Sequence, residues 1–246
     1  MESKAQEQTL VLIKPDALKN SLTGYVLSLL SEVHSGLRFA GAKIVHVERM
    51  LAEEHYAEHR GKVFYPPLLD YIMGLAHYPD EPHKRRVIAL VYRGPDAVQK
   101  IRDLVGPTNP HVAREKKPGC IRALGTIVPV KDAAGNVVGE RMDNLIHASA
   151  NAADAEREIK LWFRPSDIPP AMHPYPTETS KSHYYFKDGK LYDTYDAGRL
   201  CVLATGDLAW KSDLAALGQL LRGEPASIPV ESVVAKYLIN EHQESD

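Results

Sequence analysis

The segment Asn144-Leu145-Ile146-His147-Ala148-Ser149 carries an imidazole out of a short apolar run into small polar residues. Leu145 and Ile146 read as a brief buried strand, and His147 stands where it ends, so its side chain can reach a cleft. A helix is expected next, with Asn151 as N-cap, Asp154 in the first turn, and Ala155, Ile159 and Trp162 or Phe163 on one apolar face. Glu158 lies beside that face. A carboxylate there can accept a proton from one imidazole nitrogen, fix the tautomer, and leave the other nitrogen free to attack. The same spacing also describes a structural histidine beside a solvated helix charge.

A second group of residues suits a polyphosphate. The run Thr9-Leu10-Val11-Leu12-Ile13 reads as a buried strand closed by Lys14-Pro15-Asp16, where Pro15 keeps Lys14 extended and fixes a cation at a strand end. A helix opened by Pro95 and Asp96 buries Val98, Ile101 and Val105 and puts Arg102 at the edge of that face. Gly106-Pro107-Thr108-Asn109-Pro110 is a rigid turn bearing a hydroxyl, and Pro118-Gly119-Cys120-Ile121-Arg122 adds another guanidinium. Lysine, arginines and threonine hold phosphates through charge-assisted and bidentate hydrogen bonds.

The positioning elements follow from periodicity. Leu22, Tyr25, Val26, Leu29, Leu30 and Val33 predict one core helix with Gly36 as its C-cap. Lys43 to Arg49 reads as a strand, Tyr56 as part of a short helix after Glu53-Glu54, and Pro66 to Gly74 as another helix. Val87-Ile88-Ala89-Leu90-Val91 is apolar without alternation, as a strand covered on both faces would be. The order suits an α+β, ferredoxin-like βαββαβ sandwich with a four-stranded antiparallel sheet.

On these residues the chain resembles the nucleoside diphosphate kinase family from about Gln8 to Pro165. The motifs are Lys14-Pro15-Asp16, Asn144-Leu145-Ile146-His147-Ala148-Ser149 and Glu158-Ile159-Lys160-Leu161-Trp162-Phe163. The resemblance implies that His147 is the phosphorylated nucleophile, Glu158 its orienting partner, Ser149 and Tyr56 its neighbours, and Lys14 a phosphate ligand. It further implies that Arg102, Thr108, Arg122 and Asn144 contact phosphates and sugar, while Phe64 lies against the base, a stacking mode that tolerates any base. The implied reaction is ping-pong transfer of a γ-phosphoryl from a nucleoside triphosphate, typically ATP, through His147 to a diphosphate. Mg2+ would arrive on the nucleotide phosphates, with no protein metal site, and a homo-oligomer is implied. Two other readings stay open: a nucleotide-binding scaffold of the same fold, and a triphosphate hydrolase in which water resolves the phosphohistidine.

Three departures from the family pattern stand out. Ala150 follows Ser149 where an acidic residue is usual. Between Arg122 and Asn144, the residues around 127–141 predict an added hairpin near the nucleotide. Leu75 to Arg86 is an expanded, charged connection, expected as a solvated loop.

After Pro165 the resemblance ends, so a catalytic domain over 1–165 and a small α/β extension over 166–246 are expected. Pro165 to Pro176 reads as an extended, unpacked connector. His183 to Tyr195 carries a hairpin signature around Asp188-Gly189, Leu200 to Leu203 reads as a strand, and two helices follow, containing Leu214 to Leu221 and Val230 to Leu238. Their apolar faces need cover from the catalytic domain or a neighbouring subunit.

A net charge of −2 gives no footprint for nucleic acid or an anionic membrane. The 2 cysteines, Cys120 and Cys201, lack metal-ligand spacing and fit free thiols in a reducing cytoplasm. Met1 to Glu7 is polar, which predicts no secretory leader, and no run is long enough to span a membrane. Neither a G-x-x-x-x-G-K-[ST] loop nor G-x-G-x-x-G occurs, which disfavours P-loop and dinucleotide chemistry.

Overall fold

The computed structural model describes residues 6–131 and 134–238. Strand β1 (Gln6–Ile13) leads through helices α1 (Pro15–Lys19), α2 (Thr23–Leu29) and α3 (Glu32–Ser35) to strand β2 (Arg38–Val45). Helices α4 (Arg49–His55) and α5 (Tyr65–Ile72) precede strand β3 (Val87–Pro95), and α6 (Ala97–Val105) and α7 (Pro110–Lys116) follow it. The hairpin β4 (Thr126–Lys131) and β5 (Val137–Asp143) comes before the brief strand β6 (Ile146–Ala148) and helix α8 (Ala152–Trp162).

Four strands form one antiparallel sheet in the order β2-β3-β1-β6, the ferredoxin-like α+β arrangement. The interior strands carry continuous apolar runs, Leu10 to Ile13 on β1 and Val87 to Val91 on β3, because both faces are covered there. Leu10 and Leu12 of β1 pack with Leu51, Ile159 and Trp162 on one side. Val11 and Ile13 pack with Val26, Leu30 and Ile101 on the other. Leu12 pairs with Ala89 on β3 and with His147 on β6, so the register alone places the histidine beside the strand that ends in Lys14.

Several elements differ from their sequence expectations. The helix expected over Leu22 to Val33 is two helices, because Ser31 acts as an N-cap whose hydroxyl accepts the His34 N–H and restarts the chain. Gly36, at φ 66°, ends the second helix as expected. The strand expected at Lys43 to Arg49 runs instead from Arg38 to Val45, and Arg49 already opens α4. The connector after Pro165 is packed: Ile168 joins the main core, and the His173 Nε2 lies 2.9 Å from the carbonyls of Pro165 and Ile168. Its prolines form two 3-10 turns, a conformation compatible with their fixed φ.

The remaining chain contains β7 (Thr177–Thr179), β8 (Tyr184–Lys187), β9 (Lys190–Tyr192), β10 (Leu200–Leu203), β11 (Leu208–Trp210), α9 (Lys211–Leu221) and α10 (Val230–Leu238). Asp188 and Gly189 turn the β8–β9 hairpin with φ of 50° and 75°, as the Asp-Gly pair predicts. β10 adds to β8, while β7 and β11, absent from the sequence reading, pair with each other. Trp210 and Ala235 are buried in the same cluster as Leu10 and Trp162, so the residues before Pro165 cover this extension. The Trp210 Nε1 donates to the Phe163 carbonyl at 2.7 Å, and Arg164 donates to the Lys236 and Tyr237 carbonyls near the end of α10. Cations at a helix C-terminus also meet the negative end of its dipole. Among the described residues, no helix is long and apolar enough to cross a membrane.

Candidate active site

His147 sits on β6 at the sheet margin, and α8 returns beside it. Asn151 caps α8 by accepting the Asp154 N–H at 2.9 Å, which fixes the first turn and the phase of the helix. That phase buries Glu158, whose Oε2 lies 2.9 Å from the His147 Nε2 and accepts the Ser149 hydroxyl at 2.6 Å. Ser149 also ties the loop to β1, accepting the Leu10 N–H at 3.1 Å. Ala150 is exposed, and the loop is held by its neighbours Ser149 and Asn151.

Burial pushes the Glu158 carboxyl up, but the adjacent His147 and His55 rings and the Ser149 hydroxyl outweigh it and hold it at about 2. An ionised carboxylate only accepts, so the His147 Nε2 donates and its Nδ1 keeps the lone pair. The Nδ1 makes no hydrogen bond among the described residues.

Lys14, at the end of β1, is 5% exposed, and its Nζ donates to the Asn144 Oδ1 at 2.6 Å and lies 4.8 Å from the Tyr71 ring centre. Asn144 is itself fixed: its Nδ2 donates to the Thr108 carbonyl at 2.9 Å and its N–H to the Tyr71 hydroxyl at 3.2 Å. Asp16, the last residue of the lysine motif, accepts the Leu145 N–H at 2.8 Å, anchoring a residue whose φ is 68°. Burial brings the Lys14 ammonium down to about 7, against the raising pull of Asp16.

Arg122 donates through Nε and Nη2 to the Ile146 carbonyl and through Nη1 to that of Gly106. Burial, with the nearby Arg102 charge, lowers its guanidinium to about 10. Gly106 has φ 81°, and an added Cβ would meet the Cys120 Sγ at 2.2 Å, so only glycine lets the 106–110 turn approach this closely.

Lys14, Tyr56, Phe64, Arg102, Thr108, Arg122, Asn144, His147 and Glu158 all line one cleft of about 780 Å³. Tyr56 ends α4 and is nearly buried, and burial pushes its phenol up, so it stays a neutral hydroxyl. Arg102 and Thr108 are exposed at the wall, and Phe64 is 52% exposed with the Lys62 ammonium 5.7 Å from its ring centre. Ser149 supports the wall from behind.

Sequence reasoning missed three features. His55, next to Tyr56, stands edge-on to His147 with ring centres 4.5 Å apart, and its Nδ1 accepts the Trp162 indole N–H at 3.2 Å. Burial pushes His55 well below the usual histidine range and keeps it neutral. Tyr71 lies within the helix expected over Pro66 to Gly74, where nothing in the sequence singles it out. The expected solvated loop at 75–86 is corrected in part: His77 is 4% exposed, and its Nε2 lies 2.9 Å from the Asp143 Oδ2. A charged composition gave no sign of that inward turn.

The ligand atoms of His55, His147 and Glu158 lie within 4.8 Å of one another. Two nitrogens and one oxygen are not the hard oxygen shell that magnesium selects. The cations of the cleft instead suit an anionic polyphosphate.

Residues 7–168 match the family model described as nucleoside diphosphate kinase. A nucleoside diphosphate kinase of Pyrococcus furiosus is 38% identical over 66% of this chain and 86% of its own length. The nucleoside diphosphate kinase of Aquifex aeolicus superposes with a TM-score of 0.54 at 27% identity, over 67% of this chain and 100% of that one. The Borrelia burgdorferi enzyme, solved with bound vanadate and ADP as a transition-state mimic, gives a TM-score of 0.51 at 30% identity, over 67% of this chain and 90% of that one.

Proposed function

The chain belongs to the nucleoside diphosphate kinase family and is a phosphotransferase, and from that premise we propose a ping-pong reaction through a phosphorylated His147. The observation that carries this reading is the His147–Glu158–Ser149 arrangement, which commits Nε2 to a buried carboxylate and leaves Nδ1 as the nucleophile beside a cationic cleft. In the first half-reaction the Nδ1 lone pair attacks the γ-phosphorus of a magnesium nucleoside triphosphate, the bond to the bridging oxygen breaks, and the diphosphate leaves with that electron pair. In the second, a terminal oxygen of another diphosphate attacks the phosphohistidine and the nitrogen recovers its lone pair.

Phosphoryl transfer demands alignment and charge stabilisation more than covalent help from the protein. Lys14, Arg102 and Arg122 neutralise phosphate oxygens, Thr108 and Asn144 orient phosphates and sugar, and Phe64 supports the base. Tyr56 and Ser149 hold the histidine's surroundings, and Glu158 stabilises the positive charge that develops on the ring. The catalytic unit is residues 1–165, and 166–246 is an extension whose helix α10 buttresses α4 and α8. The outer edge of the sheet, β2, exposes Phe39 and Ile44, which supports self-association. Cys120 and Cys201 form no disulfide, in keeping with a cytoplasmic enzyme.

Initial rates measured while both substrates vary test the reading. Parallel double-reciprocal lines, with triphosphate stable when no acceptor is present, are expected. Intersecting lines would contradict the covalent intermediate, and steady triphosphate loss to water would favour a hydrolase.

A further inference from the structure

The two insertions that separate this chain from its family pattern meet at one point of the cleft. Asp143, at the end of the inserted hairpin, accepts Arg141 through two bonds: Nε to Oδ1 at 2.6 Å and Nη2 to Oδ2 at 3.1 Å. His77, from the expanded connection, touches the same carboxylate. Burial pushes the Asp143 carboxyl up, but these partners hold it at about 2, so it remains a fixed anion.

This arrangement uses one fork of the guanidinium and spares the other. Nε and Nη2 face Asp143, whereas Nη1, together with the second Nη2 hydrogen, has no acceptor among the described residues. Arg141 lines the cleft, as do Val138 and Met142 of the same hairpin and Phe64 of the opposite element. A guanidinium held on one edge by a carboxylate loses little further freedom on binding, and its other edge offers two parallel donors.

Two parallel N–H donors match two adjacent acceptors. Of the purines, guanine has such a pair in O6 and N7, whereas adenine sets an N6 donor beside N7. We propose that Arg141 is a specificity-determining residue that recognises the O6/N7 edge of a purine base, with Asp143 and His77 as its positioning residues. The assignment rests on the nucleotide-binding reading of this cleft. It adds a preference for 6-oxopurines to the base-tolerant stacking on Phe64.

The test is calorimetric binding of magnesium GDP, IDP and ADP to the full chain and to Arg141→Ala, Asp143→Asn and His77→Asn. GDP and IDP should bind about tenfold tighter than ADP to the wild type, since IDP keeps O6 and N7 but lacks the 2-amino group. Arg141→Ala should erase that ratio, with the loss falling on GDP and IDP. Asp143→Asn and His77→Asn should shrink it, a change that general destabilisation would not produce. Equal binding of the three nucleotides, IDP behaving like ADP, or an unchanged ratio in Arg141→Ala would overturn the assignment and leave the kinase reading intact. Failure of every diphosphate to bind would overturn both.

Discussion

Two buried carboxylates, Glu158 in the catalytic half and Asp213 in the extension, are both pushed up by burial yet end on opposite sides of the ordinary carboxylate range. Glu158 is 4% exposed, meets an imidazole and a hydroxyl, with Arg157 at 3.6 Å, and is held at about 2. Asp213 is 1% exposed, accepts one side-chain hydrogen bond among the described residues, from the Lys236 ammonium at 2.5 Å, and burial pushes it up while pushing Lys236 down. The number and kind of donors decide the outcome, because desolvation acts on both. In the catalytic half, a convergent set of donors preserves a charge for chemistry. In the extension, the pair fastens α9 to α10, and its charge serves no reaction.

The largest effect should come from Glu158→Gln, which keeps the shape but removes the charge that orients and stabilises the His147 ring. Phosphotransfer should fall by roughly 10²- to 10⁴-fold in stopped-flow or coupled assays. Asp213→Asn should do the reverse, sparing turnover per folded molecule while leaving a buried ammonium unpaired at a cost of about 3 kcal/mol in denaturant unfolding. Asp213→Leu combined with Lys236→Met should recover that stability. If the single variant lost turnover and kept its stability, the division between the two carboxylates would be wrong.

Acid titration sharpens the same contrast. The Glu158 carboxyl is lowered from 4.5 to about 2, so its contribution, about 3 kcal/mol, is complete above pH 4.5 and disappears as pH falls toward 2. Glu158→Gln should flatten stability against pH across that window, and Asp213→Asn should not. Lys14, at about 7 without a ligand, should regain its proton beside phosphate. Diphosphate binding should therefore take up a proton above pH 7 and weaken as pH rises, read by calorimetry in buffers of different ionisation heat. The smallest effect belongs to Ser149→Ala, which removes one of the Glu158 donors and should slow transfer only several-fold.

The sequence carried the histidine, its carboxylate and the cations because each sits on an element with a strong local pattern: an apolar β1, a capped α8, a Gly106 turn. His77 was misread for the opposite reason. Nothing in the charged run from Leu75 to Arg86 indicates that one member turns inward to Asp143, since that contact depends on a hairpin distant in the chain. His55 and Tyr71 were hidden similarly, each being one position of an amphipathic helix until the tertiary fold sets it against His147 or Lys14. The packed connector shows that proline richness fixes φ without saying whether neighbours such as Ile168 will be buried.

The most direct measurement is to mix γ-phosphate-labelled ATP and magnesium with the wild type and with His147→Ala, isolate the protein, and then add unlabelled GDP. The expected result is an acid-labile label on His147, assigned to Nδ1 by phosphorus NMR, which moves to GDP and does not form in the variant. A label that persists in His147→Ala, or one that GDP cannot discharge, would contradict the proposed mechanism.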